Sequence, residues 1–395
     1  MLSTRRSVLC GSLGMAMAGL ATRRAAAAPE PIRFGWLTAL TGANSAPGIG
    51  FDRGVVYAAN KINAAGGVGG RPIQVFTRDT QGDPAKAVNA TVELASNAKV
   101  HAFFGPINSG ESLATTPIAT RFKVPSLCIC VLDSLIDPVK YPNAFRLACN
   151  ISQWDDANRF YCLDVLKAKK VAILGDSTGY GTTAVGVSVD NFHRAGAEVV
   201  YNAVIDADAQ DVAPHLMRAR SAGAQSVTIW SNSTGLDARV MNARGQLGWD
   251  VPLSGHPSMG SGDVARLLER RAYWDKVYVP GYRSCSFDAN GRLPARTQGL
   301  VEELKGKVEL SDIQLWWVAV GIDAVHLVAE AVAKSGSVEA DAIIGYWNHL
   351  TKWPGYFGDF SFTPEQHNGY PTDEVVMSAA NSVRDGALSL APGYA

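Results

Sequence analysis

The sequence predicts an α/β protein built as two doubly wound parallel-sheet lobes joined by a multi-strand hinge. Three observations carry this expectation. From Ile32 onward, short apolar β-rich runs alternate with helical patterns, and Gly, Pro, Asn or Asp punctuates nearly every junction. Successive strands therefore return through helices and lie parallel, covered on both faces. A second series of the same kind begins after Asn150, and the 395-residue chain is too long for one core but suits two.

In chain order, the first series reads as strand 32–37, helix 51–64, strand 73–78, helix 84–96, strand 102–104, helix 111–122 and strand 126–131. The connection Gly66-Gly67-Val68-Gly69-Gly70-Arg71-Pro72 is typical of its junctions. The second series reads as helix 152–166, strand 171–175, helix 182–195, strand 199–205, helix 211–222, strand 226–230 and helix 236–247. Beyond it lie a strand at 277–282, a long helix at 313–334, a helix at 340–350 and strands at 358–362 and 374–378. These are too few strands for a third sheet. The economical path returns to the first lobe near Pro280 and crosses again near Gly358, so that 29–148 with 281–357 form one lobe and 149–280 with 358–395 the other. A cleft between such lobes is hinged and faces helix N-termini from both sides.

Residues 1–28 read as an export signal of the twin-arginine type. Arg5-Arg6 follows Ser3-Thr4, residues 7–20 are mostly apolar or small, and Ala25-Ala26-Ala27-Ala28 precedes Pro29. The ordinary secretory route also accepts a basic start. Cys10 stands too near the start for a lipid anchor, and no later segment offers an uninterrupted apolar span of about 18 residues, as a membrane helix requires. The mature chain is expected in the periplasm as a soluble protein. Arg5, Arg6, Arg23 and Arg24 leave with the signal, which tips the even balance of 36 basic and 36 acidic residues slightly acidic. That argues against nucleic acid or an anionic membrane as partner.

Five further cysteines are Cys128, Cys130, Cys149, Cys162 and Cys285. Cys128 and Cys130, two residues apart on one strand face, have poor disulfide geometry and make an incomplete zinc site. They read as buried small apolar residues. Cys149 and Cys162 are free to pair, but nothing in their spacing requires it. No nucleophile elbow, His-x-x-x-His pair or phosphate-gripping glycine loop appears, so neither a catalytic site nor a cofactor or metal site is expected. An oxidoreductase or hydrolase on a doubly wound scaffold is the weaker alternative.

The most informative turn is Gly105-Pro106-Ile107-Asn108-Ser109-Gly110, between a strand and a helix. The first helical N–H groups lack intrahelical partners and carry the positive end of the macrodipole, so Ser109 with Asn108 and Gly110 seats a carboxylate without a buried cation. The plain alternative is an ordinary serine cap. Trp154 follows the lobe crossing and lines the cleft or plugs the hinge; His256 donates to a carboxylate or is a solvated loop residue.

Taken together, Leu40-Thr41-Gly42, Ala58-Ala59-Asn60-Lys61-Ile62-Asn63-Ala64-Ala65-Gly66-Gly67, Asp79-Thr80-Gln81-Gly82-Asp83-Pro84-Ala85-Lys86-Ala87, the turn ending at Ser109, Asp176-Ser177-Thr178-Gly179-Tyr180-Gly181 and Asp211 resemble the type 1 periplasmic solute-binding proteins. The resemblance is to the branched-chain amino acid (leucine) binding family of ABC importers and spans nearly the whole mature chain. It implies that a small-molecule ligand is the cargo and that a membrane permease and an ATPase are the partners. It further implies that Ser109 holds the ligand carboxylate together with a hydroxyl after the next strand. That second position falls near Leu132, within Ile129-Cys130-Val131-Leu132-Asp133-Ser134, where a leucine cannot donate; Cys130 of this stretch is counted among the candidate ligand contacts. The closing tyrosine matches Tyr180, a second-lobe contact matches Asn232, and a covering aromatic matches Trp317, or Trp316 one register away. The acid that pairs with an amino acid's ammonium falls within Gly255-His256-Pro257-Ser258-Met259-Gly260, where there is no carboxylate. The family's first-lobe disulfide positions fall near Gly82 and Asn108, so that bridge is absent. A buried ammonium without an acid is costly, so oxo acids or aromatic acids are expected to bind at least as well as leucine.

Overall fold

The computed structural model describes residues 29–42, 45–371 and 373–394; the expected export signal at 1–28 lies outside the described residues. The first lobe is laid down by β1 (Ile32–Thr38), α1 (Ser45–Ala64), β2 (Ile73–Asp79), α2 (Pro84–Ser96), β3 (Ala102–Phe104), α3 (Ser109–Arg121), β4 (Ser126–Cys128) and β5 (Ala144–Arg146). Its sheet runs β2-β1-β3-β4-β5 with every pair parallel. Ile32, Phe34 and Trp36 are fully buried, as expected for a strand covered on both faces. Asp83 accepts from the Ala85 and Lys86 amides and starts α2 just before Pro84.

The second lobe follows as α4 (Ile151–Phe160), β6 (Lys170–Asp176), α5 (Gly179–Arg194), β7 (Glu198–Ile205), α6 (Ala213–Ser221), β8 (Ser226–Trp230), α7 (Thr234–Gln246), β9 (Leu253–Gly255), α8 (Gly262–Leu267), β10 (Val277–Tyr282) and β11 (Ser286–Phe287). Next come α9 (Ala295–Leu304), α10 (Leu315–Ser335), α11 (Ala340–Trp347), β12 (Trp353–Pro354) and β13 (Asp359–Phe360), which lie on the first lobe. The chain ends with β14 (Val375–Arg384) and β15 (Ala387–Leu390) in the second lobe's sheet, ordered β11-β15-β14-β10-β9-β8-β6-β7. Strands β6 to β10 are parallel there, while β14 runs antiparallel to both β10 and β15.

Several expectations need correction. The crossings expected at 280/281 and 357/358 both fall later. Ser286 and Phe287 pair with Leu388 and Ser389 in the second sheet, so 281–287 stays with that lobe. Asp359 and Phe360 pair with Pro354 and Trp353, and Arg146 bridges to Asn368, so 358–368 stays with the first. Packing decides this: Phe362 meets Phe145 edge-on at 5.2 Å. The single helix expected at 152–166 ends at Phe160 and continues as one π turn, Tyr161–Val165. Strands β5, β9 and β15 and helix α9 were not anticipated; the strands are three or four residues long, too short for a periodic signal.

Among the described residues one helix, α10, is long and apolar enough to cross a membrane, with mean hydropathy 1.6, contrary to the expectation that no segment would be; 89% of that window is buried inside the fold. A helix apolar all round belongs in a core when protein surrounds it. Its buried Asp323 accepts the Tyr356 and Phe357 amides at 2.8 Å each and ties the return loop to the helix. Burial pushes that carboxyl up to about 7. Helix α10 lies against α1 at backbone contact: a Cβ on Gly54 would stand 2.1 Å from the Val318 carbonyl oxygen, and one on Gly321 2.3 Å from that of Phe51.

All five described cysteines are buried free thiols. The Cys128 and Cys130 sulfurs lie 3.6 Å apart. Cys149 faces the Tyr282 hydroxyl and Cys162 the Ser254 hydroxyl, so those two are not placed as partners.

Candidate functional site

Helix α3 begins where the apolar run of β3 ends and Asn108 caps the first turn. The Asn108 Oδ1 accepts the Glu111 amide at 2.9 Å while its Nδ2 donates to the Glu111 carboxylate. The Asn108 side chain is thereby consumed in capping, and the Ser109 and Gly110 amides are left at the helix start without intrahelical acceptors. Ser109 is buried, and its amide and hydroxyl make no hydrogen bond to the described residues.

Opposite, α5 starts at Gly179 behind Thr178, whose hydroxyl accepts the Gly181 amide at 3.2 Å. The two helix starts meet across the cleft: a Cβ on Gly179 would lie 3.7 Å from the Gly110 Cα. Gly110 is thus a point of closure, and it does not line the cavity. Tyr180, next in line, is buried and its hydroxyl has no partner. Asn232 precedes the α7 cap Ser233, and its buried Oδ1 is likewise unpartnered.

His256 follows β9. Its Nδ1 accepts the Ser258 amide at 3.1 Å and lies 2.8 Å from the Ser258 Oγ, which also contacts Asp237 and the Ser231 carbonyl. Because Nδ1 is an acceptor, the ring proton sits on Nε2. Burial holds the imidazole down at about 3, so it is neutral at ordinary pH. The ring packs edge-on against Trp154 (5.1 Å between centroids) and Tyr180 (5.2 Å). Trp154 donates to the Tyr282 hydroxyl at 2.9 Å, which places it both at the hinge and at the cleft.

The remaining wall comes from α10 and α1. Trp317 packs on Gly50, where a Cβ would approach it to 2.8 Å, and on Phe51. Trp316 donates to Gln314 Oε1, and Gln314 Nε2 donates to the Pro257 carbonyl, so one buried amide joins the first-lobe aromatic wall to the His256 turn. Nearby, Asp312 takes both Arg53 nitrogens (2.6 and 3.1 Å), and its carbonyl accepts the Asp263 amide at 3.2 Å, a second tie between lobes.

These side chains enclose one cavity of about 50 Å³. A single water needs roughly 10–15 Å³ on the same measure, so the space suits several waters or one small solute. Asn108, Ser109, Trp154, Tyr180, Asn232, His256 and Trp317 line it, together with Trp316. Cys130 does not: it is buried beside Cys128, Leu135, Ile136 and Tyr141 in a separate cluster, because the chain leaving β4 turns its side chain away from the cleft. Pro47, Phe51, Ile107, Ile129 and Val131 complete the lining and were not singled out from sequence. Ile107, an apolar residue in a polar turn just before a cap, was the readable sign among them. Among the described residues no Asp, Glu, Lys or Arg lines the cavity. Among the described residues no cluster of His, Cys, Asp and Glu is placed to hold a metal.

Glu111, beneath the α3 cap, carries a titration that can be tested. Burial pushes its carboxyl up to about 7 from 4.5, with a smaller contribution from Asp83. Below about pH 4.5 both folded and unfolded forms are protonated and nothing is lost. As pH rises towards 7 the unfolded chain ionises freely while the fold resists, so stability falls, and above 7 the full cost, on the order of 3 kcal/mol, is present. Glu111→Gln, whose amide nitrogen meets the unpartnered Oε1 position, is expected to be more stable than the parent in urea at pH 8 and to lose that advantage at pH 4.

Two α/β lobes meeting over one small cavity, with donors presented from both sides, define a hinged solute-binding protein. A family model described as periplasmic binding protein matches residues 31–381, and the chain belongs to that family. It is therefore a binding protein and not an enzyme. Among curated relatives, it is 27% identical over 188 residues to an amino acid binding protein of Pseudomonas aeruginosa (47% of this chain, 50% of that one). It is 25% identical over 252 residues to the Leu/Ile/Val-binding protein homolog 8 of Brucella suis (61% of each). The chain thus spans about half to three-fifths of the length of the curated relatives it matches. Among solved structures, the branched-chain amino acid transporter substrate binding protein LivJ from Streptococcus pneumoniae, in complex with isoleucine, aligns with TM-score 0.79 at 22% identity over 91% of this chain and 97% of that one. A periplasmic binding protein type 1 from Bordetella pertussis aligns with TM-score 0.81 at 22% identity over 92% and 100%. These alignments establish the fold.

Proposed function

We propose that the protein is the extracytoplasmic solute-binding component of an ABC importer, taking an amino acid or a related small carboxylate, such as an oxo acid or aromatic acid, into the interlobe cleft. The single observation behind this is the pairing of an open α3 start at Ser109 with a buried, unpartnered Tyr180 hydroxyl across one cavity. Carboxylate at the Ser109 amide satisfies the helix start, Tyr180 and Asn232 add hydrogen bonds from the other lobe, and Trp316 and Trp317 cover an apolar body. Contacts from both lobes favour the closed form, so the solute shifts a hinge equilibrium without being transformed. Export by residues 1–28 brings the chain to the periplasm, where a permease and an ATPase across the membrane complete the importer.

A second reading, a sensing receptor for an amide- or urea-like solute, draws on the unpartnered Asn232 Oδ1, which suits an N–H donor. A thermal-shift panel of amino acids, oxo acids, aromatic acids, amides and urea tests both. A ligand that binds only the folded form raises the melting point, by the equivalent of about 2.7 kcal/mol at a hundred times Kd. A rise with a carboxylate supports the first reading and a rise with amides alone the second. No rise with any of them overturns both.

A further inference from the structure

We propose that the cavity selects a small carboxylate bearing an oxygen, and not an ammonium, on the carbon next to the carboxylate: a 2-oxo or 2-hydroxy acid. This rests on the solute-receptor reading above and narrows it.

The polar groups that reach the cavity include fixed donors and groups that act either way. The Ser109 amide stands at a helix start and suits the carboxylate. His256 has its Nδ1 fixed as an acceptor by the Ser258 amide, so the nitrogen left to face a solute carries a proton, and it makes no hydrogen bond to the described residues. A fixed N–H opposite an ammonium leaves two donors confronting each other; opposite a carbonyl or hydroxyl oxygen it makes a bond. The Tyr180 hydroxyl is neutral and serves as donor or acceptor, and the Asn232 carboxamide presents an acceptor on one side and a donor on the other. It therefore accepts from a 2-hydroxyl or, rotated, donates to a 2-oxo group.

Among the described residues no carboxylate lines the cavity. Two acids lie behind it without lining it: Asp176 takes the Thr178 amide at 3.0 Å and the Thr178 hydroxyl, and Asp237 takes the Ser258 hydroxyl, while Asp176 Oδ2 and Asp237 Oδ1 stay buried without a partner and burial pushes both carboxyls up towards the neutral form. Aromatic faces attract cations, but more weakly than burial of an unpaired ammonium opposes it. The oxygen acids share leucine's shape and remove only this cost.

Titration calorimetry of the mature protein at pH 7 with one carbon skeleton in three forms decides the matter: leucine, 2-hydroxy-4-methylpentanoate and 2-oxo-4-methylpentanoate, with glycine betaine, benzoate and acetamide as further arms. At least one oxygen acid is expected to bind ten times or more tighter than leucine. Leucine or betaine binding within tenfold of the tighter oxygen acid overturns the inference, as does binding confined to benzoate or acetamide; in each of those cases the solute-receptor reading stands. Absence of binding by every compound sinks both. His256→Glu, whose carboxylate oxygen is as many bonds from Cβ as the imidazole Nε2, is expected to shift the leucine to oxo acid ratio at least tenfold towards leucine. An unchanged ratio in a folded variant counts against the proposal, and the native series decides alone if that variant does not fold.

Discussion

Ser109→Pro is expected to weaken binding of the carboxylate ligand about 10- to 100-fold while leaving the fold intact. Proline is tolerated at the first position of a helix, where its missing N–H has no intrahelical role. The preceding Asn108 already holds φ −110° and ψ 155°, the extended conformation that a following proline demands. What disappears is one amide aimed at the cleft, and a hydrogen bond to a charged group contributes about 1.5–3 kcal/mol. Ser109→Ala keeps the amide and separates the hydroxyl's share. Calorimetry of parent and variants, with urea unfolding as the control, checks this. Equal affinity in the proline variant places the carboxylate somewhere other than the α3 start.

Gly54→Ala is expected to be the more damaging change to stability. Elsewhere such a substitution helps: in a helix interior alanine is favoured over glycine by about 1 kcal/mol, and at exposed Gly186 in α5, where an added Cβ meets nothing within 4 Å, Gly186→Ala should stabilise by up to that amount. At Gly54 the same methyl would stand 2.1 Å from the Val318 carbonyl oxygen and 3.1 Å from the Gly321 Cα. Both are backbone and cannot swing aside, so α1 and α10 must separate. Overpacking of this kind costs about 1–3 kcal/mol, which outweighs the propensity gain. At about 2–4 °C per kcal/mol the melting point should drop by several degrees. Ligand affinity should fall with it, because Trp316 and Trp317 sit at the start of the displaced helix. A Gly54→Ala melting point at or above that of the parent would mean that the two helices are not held at backbone contact.

The grouping of Ser109, Tyr180, Trp154, Asn232 and His256 around one cavity was legible because each follows a strand and lies in the next turn or helix, and in parallel sheets those junctions gather at one edge; Trp317, on a helix that follows another helix, was pointed to by the resemblance alone. Cys130 was misread for the complementary reason. Its position along the chain was right, but side-chain direction beyond the end of a three-residue strand is set by packing against Leu135 and Tyr141. Asn108 carries a signal for capping and a signal for ligand contact in the same letters, and only the hydrogen bonds to Glu111 show which of its groups is spent.

By itself the sequence determined what depends on neighbours along the chain: the alternation of strand and helix, the two series of it, the capped turn at residues 105–110 and the want of an acid at 255–260. Periodicity and capping act over a few residues, so they can be read locally. The tertiary structure alone decided where the chain crosses between lobes, which nitrogen of His256 holds the proton, and that Gln314 ties Trp316 to Pro257. The crossings and the Gln314 tie rest on contacts between segments far apart in the chain, and the His256 tautomer rests on a local hydrogen bond whose geometry the buried fold fixes.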